Sequence, residues 1–380
     1  MLKNAGHLRV LDLFSGIGGF SLALKGIVHT EAYCDIDKDC INIIKQNFSK
    51  NKKGNPLFFI DVKDIDKTAI KRYPLLNDVN MICAGFPCID ISVANYKGKG
   101  IDGEFSGLFY EIIRIIDLLK NISILFLENS SHIKTKGLDT IIKELKKRNF
   151  SCIWTYINAS DVGALHRRKR WYCLCARMTK NNKEQNDIIL DKLRKVSHKK
   201  NIENIDWCED KSKPRILDTT KLSRLERKQM MKRCAMLGNS IVPQCAAYAW
   251  NNLVYKMLDF YKKNVSYPFF EEIVVIPLQQ NTLDLKFSDG VNSFEKNRWA
   301  TPVRSIWHMF SAISCKRCET TLVVQILFEK ETQKYIENQN KKKGKILLYN
   351  KYIVNPHFIE HLMGYPYNWT KIIHHQNQNL

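Results

Sequence analysis

The sequence predicts an α/β protein built on a mostly parallel, doubly wound sheet, and three observations carry that expectation. Short apolar runs alternate with helical patterns over the first 180 residues. Successive predicted strands end on glycine or acidic residues, where ligands collect in sheets of this kind. The chain also has 380 residues, too many for one ordinary core, so a large domain with a smaller one is expected.

"LRVLDLF" (8–14) reads as a buried strand that runs into the glycine cluster "SGIGGF", with a helix following through Leu22 and Ala23. "EAYCDID" (31–37) is a second strand, and "CINIIKQNF" after it has helical periodicity. Further strands are expected at "LFFIDV" (57–62), "VNMICAGF" (79–86), "ISILFLENS" (122–130), "WTYINASDV" (154–162) and "RRKRWYCLCARM" (167–178). "GLFYEIIRIIDLLK" (107–120) and "LDTIIKELKKRNF" (138–150) are amphipathic helices between them. Residues 1–178 thus form the expected first domain. The polar, Lys-rich interval 179–233 reads as a basic insertion or linker. "MLGNSIVPQCAAYAWNNLVYKML" (236–258) returns to a capped apolar helix, so 234–261 is expected to complete the first domain. From 262 to 380 a second unit carries β-like runs such as "TTLVVQILFEK".

Composition narrows the partners. Sixty Lys and Arg against 38 Asp and Glu give a formal charge of +22, which points to a polyanion, nucleic acid before anionic membrane. A merely soluble basic protein is the plainer alternative. Twelve scattered cysteines and no signal-peptide pattern imply a reducing compartment such as the cytoplasm. No apolar run reaches membrane-spanning length. Cys315 and Cys318 form a lone "CKRC" pair with no second ligand pair at usual spacing, so no metal is expected.

Four constellations carry chemistry. In "DLFSGIGGF", glycines after a strand allow a tight turn and bring backbone N–H groups to a ligand at a helix start. The pattern fits a nucleotide-like cofactor or a bare turn. Asp35 at the next strand end can accept two ribose hydroxyls, and Asp61 after the third strand is placed for an adenine amino group. In "GFPC", Pro87 fixes the backbone before Cys88, and Lys97, Lys99, Arg168 and Arg170 offer positive charge to a thiolate. Cys83, inside the apolar run, is the packing cysteine. In "LFLENS", Glu128 closes an apolar strand, where its pKa rises and it keeps a proton to donate; a capping role for the polar cluster is the alternative. In "HRRKRWY", Arg168 and Arg170 alternate onto one strand face, which fits a phosphate, a polarised carbonyl or a solvated basic edge.

In order along the chain, "DLFSGIGGF", "DID" (35–37), "DV" (61–62), "GFPC" (85–88), "GLF" (107–109), "EN" (128–129), "RRKR" (167–170) and "LGNSIVPQ" (237–244) resemble the DNA (cytosine-5)-methyltransferase family. The resemblance implies a Rossmann-like methyltransferase fold with a smaller target-recognition domain, and S-adenosylmethionine as cofactor. It implies double-stranded DNA as partner, a monomer, and DNA (cytosine-5-)-methyltransferase activity on a flipped-out base. By the resemblance, Cys88 adds to C6 of cytosine, Glu128 protonates N3, Asn129 positions the loop, Arg168 lies near O2 and Arg170 organises the site. Phe14 would stack on adenine, while Gly16, Gly18 and Gly19 line the methionine end. Asp35, Ile36, Asp61, Val62, Leu108, Asn239 and Ser240 complete the cofactor set. Ser92, Lys97 and Lys99 are assigned to DNA, on a loop hinged by Gly98, Gly100 and Gly103.

Ile89, Ile36, Leu165 and His166 depart from the family pattern, and none removes a catalytic group. The 179–233 gap is short for a recognition domain, so the recognition region is expected mainly in 262–380. A transfer-RNA cytosine-5 methyltransferase and a catalytically silent DNA-binding homologue are the rival readings.

Overall fold

The computed structural model describes residues 8–48, 55–87, 108–164, 166, 168–179, 182–197, 216–218, 222–263, 268–275 and 352–372. Within them, eight strands form one sheet: β1 (Leu8–Leu13), β2 (Val28–Cys34), β3 (Leu57–Phe59), β4 (Met81–Gly85), β5 (Ile124–Ser130), β6 (Phe150–Ile157), β7 (Arg170–Arg177) and β9 (Phe270–Glu272). Their order across the sheet is β3-β2-β1-β4-β5-β7-β6-β9. All neighbours run parallel except β7, which is antiparallel to both β5 and β6. The sheet is therefore mostly parallel, as expected. Its order reverses between β1 and β4, and in open α/β sheets the binding crevice lies at the strand carboxyl ends beside such a switch point.

Side-chain alternation explains why both faces are covered. Leu8 and Val10 of β1 join one apolar cluster, while Leu11 and Leu13 join the other; Ile124 and Phe126 of β5 divide from Leu125 and Leu127 in the same way. One face is covered by α4 (Phe109–Leu118) and α6 (Leu138–Lys146), through Ile112, Ile115, Ile116, Ile141 and Leu145. The other is covered by α9 (Pro243–Lys262), whose Trp250 is fully buried against Phe126. Truncating Trp250 to alanine would cost about 3–5 kcal/mol. Cys152, Cys173 and Cys175 bring their sulfurs within 4.8 Å of one another inside the first of these cores, packed as small apolar groups.

Three expectations change. The strand expected through 162 ends at Ile157, because "NASD" is turn chemistry: Asn158 caps a 3-10 turn at Ala159–Val162 and Asp161 returns the bond. The interval 179–233 contains helix α7 (Lys183–Ser197), which buries Ile189, Leu190, Leu193 and Val196 and packs against α9. Its many Lys, Asn and Asp residues hide that apolar stripe in a reading by composition. Helix α8 (Arg224–Asn239) begins well before 234, started by a capping box between Ser223 and Glu226.

The chain end also belongs to this body. β8 (Ile216–Asp218) pairs antiparallel with β10 (Tyr352–Val354), and α10 (Pro356–Leu362) packs against α8. Of the 262–380 interval expected to hold the recognition region, residues 264–267, 276–351 and 373–380 lie outside the described residues.

Candidate active site

The crevice begins where β1 ends. Phe14, Gly16 and Gly18 all have positive φ (53°, 53° and 83°), so the chain turns sharply into α1 (Gly19–Ala23). At Gly16 a side chain would face open space. At Gly18 and Gly19 a Cβ would stand 2.6 Å from Phe48 and 2.5 Å from Ile241. Glycine thus avoids a side-chain collision at Gly18 and Gly19, and it suits the left-handed backbone at Gly16 and Gly18.

Asp35 follows β2 and ties this loop down. Its Oδ2 accepts the Gly16 N–H at 2.7 Å and its Oδ1 the Asp37 N–H at 2.9 Å. Burial raises its pKa, and those two N–H bonds pull it back. Beside it, Ile36 is 80% exposed, an uncovered aliphatic face at the mouth of the crevice. Asp61 sits just past β3, next to Asp35's strand: the Asp35 N–H donates to Phe59 O, and Asp61 caps the 3-10 turn at Val62–Asp64. Arg114, on α4, locks that turn by donating to the carbonyls of Val62 at 3.0 Å and Ile65 at 2.8 Å. Leu108 caps the start of α4 and is half-buried. Asn239 is exposed at the end of α8, while Ser240 is buried and closes the helix with a bond to Leu237 O. Of the predicted cofactor residues, the structure thus joins Gly16 to Asp35 by a hydrogen bond and sets Asp35 and Asp61 at the ends of neighbouring strands.

The second half of the site joins β4, β5 and β7. Glu128 faces Gly85 in the β4–β5 register, where a Cβ would come within 3.2 Å of its carboxylate. Only 7% of Glu128 is exposed, and Arg170 Nε lies 3.2 Å from its Oε1. Burial raises the Glu128 pKa, opposed by Arg170 and Arg168. Asn129 donates from Nδ2 to Phe86 O at 3.2 Å, so the end of β5 holds the backbone just before Pro87. Arg168 is buried and donates from Nη2 to Ser240 O at 2.6 Å, linking this half to the α8 turn. Cys88, Ile89, Ser92, Lys97 and Lys99 lie outside the described residues, as do Leu165 and the hinge glycines.

His166 is the unexpected neighbour. It is buried at 3% exposure, and neither ring nitrogen has a partner among the described residues. Burial, with Arg168 and Arg170 nearby, pushes its pKa down to about 3, so the ring is neutral at working pH. Sequence reading noted His166 only as a departure and missed Arg114, whose role no motif signals. It also missed Lys232 of α8, which pairs with Asp37 at 3.2 Å and with Asp39, fastening α8 to the loop that carries Asp35.

Among the described residues, no helix is long and apolar enough to cross a membrane. Comparison with known proteins extends the picture across the chain. The type II methyltransferase M.CviJI of Paramecium bursaria Chlorella virus IL3A is 32% identical over 246 residues, covering 64% of this chain and 59% of that protein. The type II methyltransferase M.HhaI of Haemophilus parahaemolyticus is 31% identical over 180 residues, covering 46% and 51%. M.Bsp6I, of Bacillus sp. (strain RFL6), is 30% identical over 187 residues, covering 47% and 55%. The chain thus spans between half and three-fifths of the length of these curated relatives. The family model described as C-5 cytosine-specific DNA methylase matches residues 8–379, taking in both halves of the crevice and the chain end, and the chain belongs to that family.

Proposed function

We propose that the chain transfers a methyl group from S-adenosylmethionine to C5 of a cytosine flipped out of double-stranded DNA, through a covalent bond between Cys88 and C6. The observation that carries the reading is the Glu128–Arg170 pair beside Asn129, which holds the carbonyl of Phe86 two residues before Cys88. A buried carboxylate with a raised pKa is thereby fixed next to the segment that delivers a nucleophile.

The crevice fits an adenosine-bearing cofactor. It lies at the topological switch point, its loop favours glycine by contact or conformation, and Ile36 presents an uncovered apolar face. Asp35 would hold the ribose and Asp61 the adenine amino group, with Phe14, Ile36 and Val62 against the ring. Gly16, Gly18, Gly19, Leu108, Asn239 and Ser240 would enclose the rest. S-adenosylmethionine supplies an electrophilic methyl group.

The protein's own residues supply the remainder. The Cys88 thiolate attacks C6, and the displaced electron pair makes C5 nucleophilic. Glu128 delivers a proton to N3 as negative charge develops there, so that charge never stands unpaired in a dry site. Arg168 lies near O2 and Arg170 keeps Glu128 aimed. After C5 gains its methyl group, a solvent water takes the C5 proton, the released electron pair re-forms the C5–C6 double bond and expels Cys88 as thiolate, and N3 returns its proton to Glu128. Ser92, Lys97 and Lys99 meet DNA phosphates, and the interval between α9 and β10 supplies target recognition. The protein acts as a monomer.

Incubating the protein with methyl-labelled S-adenosylmethionine and either duplex DNA or transfer RNA tests this reading. Label on C5 of cytosine in DNA, lost in Cys88→Ser, is expected. Label confined to transfer RNA would transfer the reading to RNA, and DNA binding without label would leave a silent homologue.

A further inference from the structure

The last described stretch, residues 355–372, touches the glycine loop from behind. Trp369 donates from Nε1 to the carbonyl of Ile17 at 2.9 Å, a bond between residues 352 positions apart. Ile17 lies inside the turn formed by Gly16 and Gly18. Tyr365 donates its hydroxyl to Ile241 O at 3.1 Å, and both Tyr365 and Ile241 press on Gly19, where a Cβ would be 2.7 Å and 2.5 Å from them. The Trp369 ring also meets Phe48 edge-on at 5.5 Å, and Phe48 is the group that leaves no room for a side chain at Gly18. All three carbonyl and ring contacts therefore converge on the turn between β1 and α1.

The segment is itself held rigidly. Glu360 is fully buried and accepts from Thr370 N and Oγ1, Asn368 N and Arg233 Nη2 at 2.6–3.0 Å. Burial alone would raise its pKa, yet Thr370, His357 and Arg233 hold it below the usual carboxylate value. Gly364 has φ +73°, a conformation suited to glycine. Its carbonyl accepts from Gln244 at 2.9 Å, on the turn that leads from Ser240 into α9. A tethered chain end with a buried charge at its centre is built to hold a shape.

We propose that residues 355–372 form a clasp of the cofactor pocket, in which Trp369 and Tyr365 are positioning residues that set the glycine turn, and that this segment does not read DNA. The inference rests on assigning the crevice to S-adenosylmethionine. Its logic is steric and electrostatic. The turn keeps one shape toward a ligand only if the peptide planes around Ile17 hold one orientation, and the Trp369 bond fixes the Ile17–Gly18 plane, whose Gly18 N–H donates to Ser15 O at 2.9 Å and closes the turn.

Trp369→Phe tests it, because phenylalanine keeps an aromatic ring against Phe48 and removes the donor. Leaving a buried carbonyl without its partner should weaken S-adenosylmethionine binding about tenfold, read by calorimetry and as a raised KM for the cofactor. kcat, duplex DNA affinity and the sequence methylated should stay within about twofold of wild type. Tyr365→Phe should act in the same direction and serves if Trp369→Phe folds poorly. A merely structural role would lower Tm while leaving cofactor affinity per folded molecule unchanged, and that result overturns the proposal. A changed target sequence overturns it too, by placing the segment in DNA recognition. Wild-type protein that binds no S-adenosylmethionine would defeat the pocket assignment itself, which separates the two failures.

Discussion

Replacing His166 by glutamine should make the protein less sensitive to acid, by an amount that follows from one buried ring. In the folded protein the imidazole has a pKa near 3, against 6.5 for the ordinary group, because burial and the Arg168 and Arg170 charges oppose a third cation. The sign is fixed by proton uptake. Above pH 6.5 neither state protonates the ring and His166 contributes no pH dependence. As pH falls below 6.5 the unfolded chain takes up a proton that the folded one refuses, so stability is lost progressively towards pH 3. Between about pH 7.5 and about pH 5 that single proton is worth about 2 kcal/mol. His166→Gln should lose about 2 kcal/mol less than wild type across this interval. Urea unfolding at several pH values measures it, and the Tm gap between the two proteins should shift by about 2–3 °C in the same sense. Parallel loss of stability in both proteins, within about 0.5 kcal/mol, would refute a buried neutral His166.

Other expectations concern the site itself. Glu128→Gln should lower kcat about 10²–10⁴-fold with duplex DNA binding largely preserved, since the proposed proton donor to N3 is lost while the proposed phosphate contacts remain; an effect under about threefold would remove Glu128 from the chemistry. Because the Glu128 pKa is raised, its donor form survives to higher pH than a free glutamate. Wild-type kcat should therefore decline as pH rises through that value, a limb that Glu128→Gln lacks. Asn129→Ala releases Phe86 O and should cut kcat about tenfold at unchanged cofactor KM; a pure KM effect would contradict a role in holding the nucleophile segment. Asp35→Ala frees the Gly16 N–H and should raise cofactor KM about 10-fold or more, while DNA affinity in a gel-shift assay stays constant.

The readable parts of this protein are those governed by local pattern. The alternation of Leu8, Val10, Leu11 and Leu13 names a strand covered on both faces, and the glycines after it mark the turn. Glu128 stands out in the sequence because a carboxylate closing an apolar strand is costly without a task, and the structure buries it beside Arg170. What escaped sequence reading depends on distant partners. The apolar stripe of α7 is four residues among lysines and asparagines, meaningful only once α9 is there to cover it. Nothing local to Trp369 says that its indole meets Ile17, 352 residues away. His166 reads as one more cation in "HRRKRWY", and only burial beside two guanidinium groups makes it neutral. The antiparallel placement of β7 likewise follows from tertiary pairing rather than from its own apolar run.

Trapping on 5-fluorocytosine DNA tests the central claim most directly, because fluorine at C5 blocks the final proton loss and leaves the enzyme bound. With S-adenosylmethionine present, the account predicts a denaturation-resistant protein–DNA adduct carrying one added methyl group, absent in Cys88→Ser. An unmodified protein that binds this DNA and the cofactor yet forms no adduct, or an adduct that survives in Cys88→Ser, would contradict it.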